Sequence, residues 1–408
     1  MEQFINPRVK DIQISGIRQF SNMIQNYDNL ISLTIGQPDF PTPSLVKEAA
    51  KRAITENYTS YTHNAGLLEL RKAACNFVKD NYDLHYLPEN ETIVTIGASE
   101  AIDVAFRTIL EPGTEVILPA PIYPGYEPII RLCGATPVFI DVRETGFRLT
   151  ADALKNAITE KTRCVVLPYP SNPTGVTLSK EELQDIVDVL KDKNIFVLSD
   201  EIYSELVYEQ THTSIAHFPE MREKTIVING LSKSHSMTGW RIGLLFAPNY
   251  LAGHILKVHQ YNVTCATSIA QYAAIEALTA AKDAPKMMRH QYKKRRDYVY
   301  NRLTQMGLTV EKPTGAFYLF PYVGHLTSSS FDFALDLVKE AGLAVVPGTA
   351  FSEYGEGYLR LSYAYSIETL KEGCDRLEAF LQKKAKSLTL SFFLHNDRKF
   401  DASIIYAE

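Results

Sequence analysis

Cysteine is scarce in this chain. The five present (Cys75, Cys133, Cys164, Cys265 and Cys374) are scattered through 408 residues. Their number is odd and none forms a C-x-x-C pair, so the spacing supports neither a disulfide framework nor a zinc site. Long apolar runs are missing too: no stretch of about 18 apolar residues is available to span a bilayer. The segment from Met1 to Lys10 lacks the apolar core of a signal peptide. Basic charge is not in excess either. Lys and Arg total 42 against 47 Asp and Glu, a net charge of −5, and nothing supplies a basic stripe for nucleic-acid phosphates. These absences predict a soluble, cytoplasmic protein with no nucleic-acid or membrane partner and no metal.

What is present is ordinary for a globular protein, with 45% hydrophobic and 22% charged residues. The length exceeds what one small core needs and predicts two or three domains. Short Val- and Ile-rich runs mark strands at Thr92–Ile96, Glu115–Leu118, Pro137–Asp141, Arg163–Leu167, Ile195–Ser199, Thr225–Asn229 and Gly243–Ala247. They mostly lack alternation, as expected of strands buried on both faces. Helical patterns lie between them at Ser99–Leu110, Pro124–Leu132 and Lys180–Leu190, so the order reads as an α/β domain with a mostly parallel sheet. Long helices are expected over Asn249–Ala280 and Lys286–Met306. Shorter elements follow at Leu308–Lys312, Ala316–Pro321, Phe331–Ala341, Leu343–Pro347 and Tyr358–Tyr363. The predicted division is a segment 1–45 folding back onto a smaller domain, a large domain 46–285, the small α+β domain 286–387, and a tail 388–408. The tail carries an apolar run, Leu388–Leu394, expected to pack on its own chain or on a partner.

Four segments carry candidate chemistry. In Gly230-Leu231-Ser232-Lys233-Ser234, the lysine lies just beyond a strand, where open α/β sheets place their sites. A lysine amine forms imines with aldehydes, and nearby cations depress its pKa. Arg241, eight residues on, could clamp a phosphate with its planar fork. Taken alone, a surface lysine beside a structural arginine is the commoner explanation. Asp200, in Ser199-Asp200-Glu201-Ile202-Tyr203, closes an apolar strand, and a carboxylate there is costly unless paired. A protonated pyridine nitrogen is one suitable partner, and a helix cap is the plain alternative. Tyr203 could reach the same ring.

Pro170-Ser171-Asn172-Pro173-Thr174-Gly175 is dense in turn formers, and Asn172 offers an amide there to a phenolate oxygen. Gly97-Ala98-Ser99 joins a strand to a helix, where bare N–H groups and the helix dipole suit an anion. Tyr123, at another strand-to-helix connection, has an aromatic face that could stack on a flat ring. Each segment alone has a structural explanation. Jointly, a lysine, an acid, an amide, a phosphate turn and an arginine are all expected at carboxyl ends of strands, which points to one site.

On these motifs the chain resembles the fold-type I pyridoxal-phosphate (PLP) enzymes, specifically the class I aminotransferases, over roughly residues 14–380. Gly36-Gln37-Pro38-Asp39-Phe40, Tyr61 with Gly66 and Glu69-Leu70-Arg71, Gly315-Ala316-Phe317-Tyr318 and Arg360-Leu361-Ser362-Tyr363 match as well. The resemblance implies a mostly parallel seven-stranded sheet sandwiched by helices, with a smaller α+β domain. It implies PLP on Lys233 as an imine, Asp200 against the pyridine nitrogen, and Asn172 and Tyr203 at the phenolic oxygen. Tyr123 would stack on the ring; Ala98, Ser99, Ser232 and Arg241 would hold the phosphate. Gly230 stands where many members have a phosphate-binding serine. Arg360, the Gly36 backbone and Asn172 would bind the substrate carboxylate, and Tyr61 would reach the neighbouring subunit of a homodimer. Ping-pong exchange between an L-amino acid, glutamate foremost, and a 2-oxo acid is implied. An N-acetyl-LL-2,6-diaminopimelate substrate of lysine biosynthesis is implied as well. An acidic substrate side chain needs a further cation, for which His63 and Arg18 are candidates. Aspartate or aromatic transamination, β-lyase chemistry and a non-catalytic regulator are the rivals.

Overall fold

Each predicted run of Val and Ile becomes a strand. The computed structural model describes the backbone of residues 1–400 and the side chains of residues 1–384. In chain order the strands are β1 (Ile31–Ser32), β2 (Thr92–Ile96), β3 (Glu115–Ala120), β4 (Thr136–Asp141), β5 (Thr162–Leu167) and β6 (Phe196–Asp200). Then come β7 (Thr225–Gly230), β8 (Ile242–Phe246), β9 (Tyr318–Leu319), β10 (Leu343–Ala344), β11 (Val346–Pro347) and β12 (Leu359–Ser362). Seven of them form one sheet in the order β2-β8-β7-β6-β5-β3-β4. All neighbours are parallel except that β8 runs antiparallel to both β2 and β7.

The missing alternation has its expected cause, because both faces of the sheet are covered. On β2, Ile93 joins a core with the helix Gly97–Ile109, while Val94 joins another with the helices Leu68–Tyr82 and Ser268–Leu278. Ile226 and Val227 of β7 divide between the same two cores. The helix Lys180–Leu190 opens on a reciprocal cap. Ser179 Oγ accepts from the Glu182 N–H at 3.1 Å, and the Ser179 N–H donates to Glu182 Oε2 at 2.7 Å. It buries Leu183, Ile186, Val187 and Leu190 at helical spacing.

Three expected elements differ, one of them Leu343–Pro347, which is split into β10 and β11 in different sheets. The long helix predicted over Asn249–Ala280 is two, Asn249–Val263 and Ser268–Leu278. Thr264 takes a left-handed φ of 68° within a run rich in β-branched residues, and its carbonyl accepts from Asn64 Nδ2 at 2.8 Å instead of from a helical turn. Leu308–Lys312 is no strand and keeps only a bridge between Thr309 and Tyr322. Glu311 and Lys312 offer no apolar face, and the following Pro313 has no N–H to donate.

Beyond the large sheet, β9, β12 and β11 form a three-stranded antiparallel sheet, and β1 pairs in parallel with β10. Their core includes Phe317, Leu319 and Leu361, with Phe333 and Leu337 from the helix Ser330–Ala341. The last helix spans Ile367–Phe400, so its backbone passes position 387 without a break. The packing expected of the side chains after Ser387 lies outside the described residues. No helix among the described residues is long and apolar enough to cross a membrane.

Candidate active site

The topology explains why the chemistry-bearing segments meet. The carboxyl ends of β2, β3, β5, β6 and β7 share one edge of the sheet, and β8, running the other way, brings its amino end there. Arg241 was expected at a strand's carboxyl end. It instead precedes β8, whose reversal returns it to the same edge. A cavity of about 850 Å³ opens at that edge. Ala98, Ser99, Tyr123, Asn172, Asp200, Tyr203, Ser232, Lys233, Arg241, Gly36 and Arg360 all line it.

Tyr61 and His63 do not. Tyr61 is 87% exposed, and His63 is exposed with its Nδ1 accepting from the Ala65 N–H at 3.1 Å. Of the two candidate extra cations, only Arg18 faces the cavity.

The ionisable groups have protonation preferences that burial dictates. Lys233 Nζ donates to the Gly36 carbonyl at 2.6 Å. Burial, then the charges of Arg360 and Arg241, lower its pKa to about 8 against the pull of Asp200. Asp200 is buried, which pushes its carboxyl up to about 6. Opposing that, Tyr126 donates its hydroxyl to Oδ2 at 2.6 Å and the Ile202 N–H donates to Oδ1 at 3.2 Å.

Arg360 is 2% exposed and has a depressed pKa through burial. It donates to Asn172 Oδ1 at 3.0 Å and to the Thr34 carbonyl at 2.5 Å, yet its Nε has no partner. Because Asn172 spends its oxygen on Arg360, its amide N–H₂ is left to donate into the cavity. Tyr203 and Tyr318 bond hydroxyl to hydroxyl at 2.7 Å.

Two glycines are set by close approach. A Cβ on Gly97 (φ +75°) would lie 2.2 Å from Arg241 Nη2, so the guanidinium rests directly on the start of the helix Gly97–Ile109. Arg241 is itself fixed by a 3.0 Å bond to the Thr238 carbonyl. At Gly230 a Cβ would lie 2.9 Å from the Ile242 carbonyl oxygen, so no serine fits there without a backbone shift. Ser232, 6% exposed, supplies a hydroxyl to the cavity instead.

A primary amine shifted toward its neutral form, a buried carboxyl and an arginine on a helix N-terminus are held around one cavity. The family model for aminotransferase class I and II matches residues 28–377. The chain belongs to that family. A probable N-acetyl-LL-diaminopimelate aminotransferase of Bacillus subtilis is 62% identical over 95% of this chain and 98% of its own. Among solved structures, an aromatic aminotransferase from Pyrococcus horikoshii is 40% identical with a TM-score of 0.85, over 90% of this chain and 99% of its own. An aspartate aminotransferase from Thermus thermophilus with maleate is 36% identical with a TM-score of 0.87, over 92% and 99%.

This aminotransferase is therefore a PLP-dependent transferase, and its cavity fits that cofactor. A flat pyridine with a basic nitrogen calls for a buried acid, a phosphate for N–H groups and a cation, and an aldehyde for an amine; all are present. Sequence reasoning missed two contributors. Tyr126, three residues after Tyr123, received no role, since nothing in a single sequence separates a packed tyrosine from one bonded to Asp200. Tyr318 lay in a matched segment whose contact with Tyr203 is purely tertiary.

Proposed function

We propose that this aminotransferase moves the amino group of L-glutamate to the 2-oxo acid corresponding to N-acetyl-LL-2,6-diaminopimelate, and the reverse, by a ping-pong route in lysine biosynthesis. In this reading Lys233 anchors PLP. When bound, the cofactor supplies an aldehyde that takes up the amino nitrogen and a ring that accepts electron density. Lys233 Nζ would take the proton from the substrate Cα and return it on the other side of the exchange. Its lowered pKa suits it to that work near neutral pH. Asp200 would pair with the ring nitrogen and keep it protonated, Asn172 and Tyr203 would hold the phenolic oxygen, and Tyr123 would cover the ring. Ala98, Ser99, Ser232 and Arg241 would hold the phosphate.

Arg360 binds the substrate α-carboxylate, with Asn172 and the Gly36 backbone beside it. The single observation carrying this assignment is its buried, unpartnered Nε beside Asn172. Tyr61, exposed on its own chain, reaches the phosphate of a second copy in a cytoplasmic homodimer. Segments 1–45 and 286–387 form a small domain against the PLP-binding domain 46–285. The pairing of β1 with β10 supports that division.

The test is an absorbance titration of the purified holoenzyme with glutamate, N-acetyl-LL-2,6-diaminopimelate, aspartate and phenylalanine. Conversion of the imine band by the first two, and loss of the band in Lys233→Ala, are the expected results. Faster conversion by aspartate or phenylalanine overturns the substrate, and release of pyruvate and ammonia reassigns the enzyme as a β-lyase.

A further inference from the structure

The charges lining the cavity do not balance once the roles above are assigned. Four cations face it, Arg18, Lys233, Arg241 and Arg360, against one carboxylate, Asp200. Lys233 is taken up by the cofactor, Arg241 by its phosphate and Arg360 by one carboxylate. Arg18 is left over. It is also the only one of the four with no hydrogen-bond or ion-pair partner among the described residues, whereas the others each donate to a carbonyl.

Arg18 sits on a short helix, Gly16–Met23, whose place is fixed by packing. Phe20 is fully buried and meets the Phe331 ring edge-on at 6.1 Å. Ile17 packs against the core around Phe320 and Phe351, and a Cβ on Gly16 would come within 3.0 Å of the Ala350 backbone. With Phe20 turned inward, Ile17, Arg18 and Ser21 line the cavity, Arg18 and Ser21 three residues apart on one face. Arg18 and Tyr123 line the same cavity, so the guanidinium shares one opening with the residues assigned to the cofactor.

Resting on the substrate reading above, we infer that Arg18, with Ser21 beside it, is the specificity residue that binds the second carboxylate of a dicarboxylic substrate. The same contact serves both halves of the ping-pong cycle. Glutamate offers its γ-carboxylate, and a diaminopimelate derivative offers the carboxylate at its far end. An arginine fork without a competing acid is matched to a carboxylate bidentately, and exposure lets it follow chains of different length. An aromatic or aliphatic side chain would leave that cation unpaired.

The measurement is single-turnover conversion of holoenzyme by glutamate and by norvaline, which has the same chain length and one carboxylate, in wild type, Arg18→Gln and Arg18→Lys. A charge-assisted hydrogen-bonded contact corresponds to about a 10- to 100-fold loss in kcat/KM with glutamate for Arg18→Gln. Norvaline should be unchanged and Arg18→Lys intermediate. Equal losses for both substrates, or no loss with glutamate, overturn the role of Arg18. Should wild type prefer norvaline, the parent substrate reading fails instead. Competitive inhibition by glutarate then decides the arginine: weaker inhibition of Arg18→Gln supports it, and equal inhibition overturns it.

Discussion

Replacing Asp200 with Asn should stabilise the cofactor-free protein. The Asp200 carboxyl is buried and its pKa is pushed from 3.8 to about 6. Between those values the folded state binds the proton more tightly than the unfolded state does. The contribution of this group to stability is therefore most favourable below pH 3.8 and falls as pH rises toward 6. A shift of roughly two units at about 1.4 kcal/mol each gives a cost of about 3 kcal/mol at neutral pH. Asn keeps the shape, accepts from the Ile202 N–H, and can still exchange a hydrogen bond with Tyr126. Urea denaturation of both cofactor-free proteins from pH 4 to 8 measures the difference directly. The variant should be the more stable by a few kcal/mol at pH 7–8, with the two curves converging toward pH 4. Adding PLP should reverse the order, since binding stabilises in proportion to affinity and only the carboxylate pairs with a protonated ring nitrogen. Equal stability at pH 8, or a wild type that is the more stable without cofactor, would refute the claim that Asp200 is held at a cost.

Further expectations rest on single contacts. Reincorporation of PLP into the cofactor-free enzyme, followed by its imine absorbance, should speed up with a midpoint near pH 8 and then level off, because Lys233 has a pKa of about 8 and reacts as the neutral amine. Tyr126→Phe removes one bond to an ionised carboxylate, about 1.5–3 kcal/mol. kcat should then fall about 10- to 100-fold with little change in KM for glutamate. Gly97→Ala places a methyl against the Arg241 guanidinium and forces a side chain into φ +75°. PLP affinity, measured by equilibrium dialysis, should weaken by about tenfold or more, the strain alone costing about 1–2 kcal/mol.

The fold was legible where periodicity and burial agree. All seven strands of the large sheet were readable because both of their faces are covered, so their composition needs no tertiary context. The break at Thr264 was not, since apolar residues continue through it and only a left-handed φ ends the helix. Lys233, Asp200, Asn172, Arg241 and Arg360 could be named because short motifs carry them. That all five line one cavity depended on topology: Arg241 arrives from the amino end of an antiparallel strand, and Arg360 from a separate sheet. Tyr126 and Arg18 were the hardest to assign. One is defined by a bond across 74 positions, the other by what does not surround it.

Burial of charge by itself does not mark this site. Arg296 is 1% exposed, more deeply buried than Arg360 at 2%. Yet Arg296 donates to Glu209 at 2.6 Å, Asp297 at 2.7 Å and the Pro313 carbonyl at 2.8 Å. Burial would lower its pKa, but those partners hold it above the ordinary range. His259 is likewise fully buried, and both its ring nitrogens are bonded, one to Glu100 at 2.7 Å and one to the Asn64 carbonyl at 2.9 Å. These groups are complete within the fold. Arg360 keeps an unpartnered Nε, Lys233 is shifted toward neutrality, and Asp200 is shifted toward its protonated form. Each of these three lacks what a carboxylate, an aldehyde or a protonated ring nitrogen would supply. Unpartnered buried atoms occur elsewhere too, at Arg222 Nη1 and His235 Nε2; what sets Arg360, Lys233 and Asp200 apart is that their incompleteness converges on one cavity, where a bound cofactor and substrate would remove it.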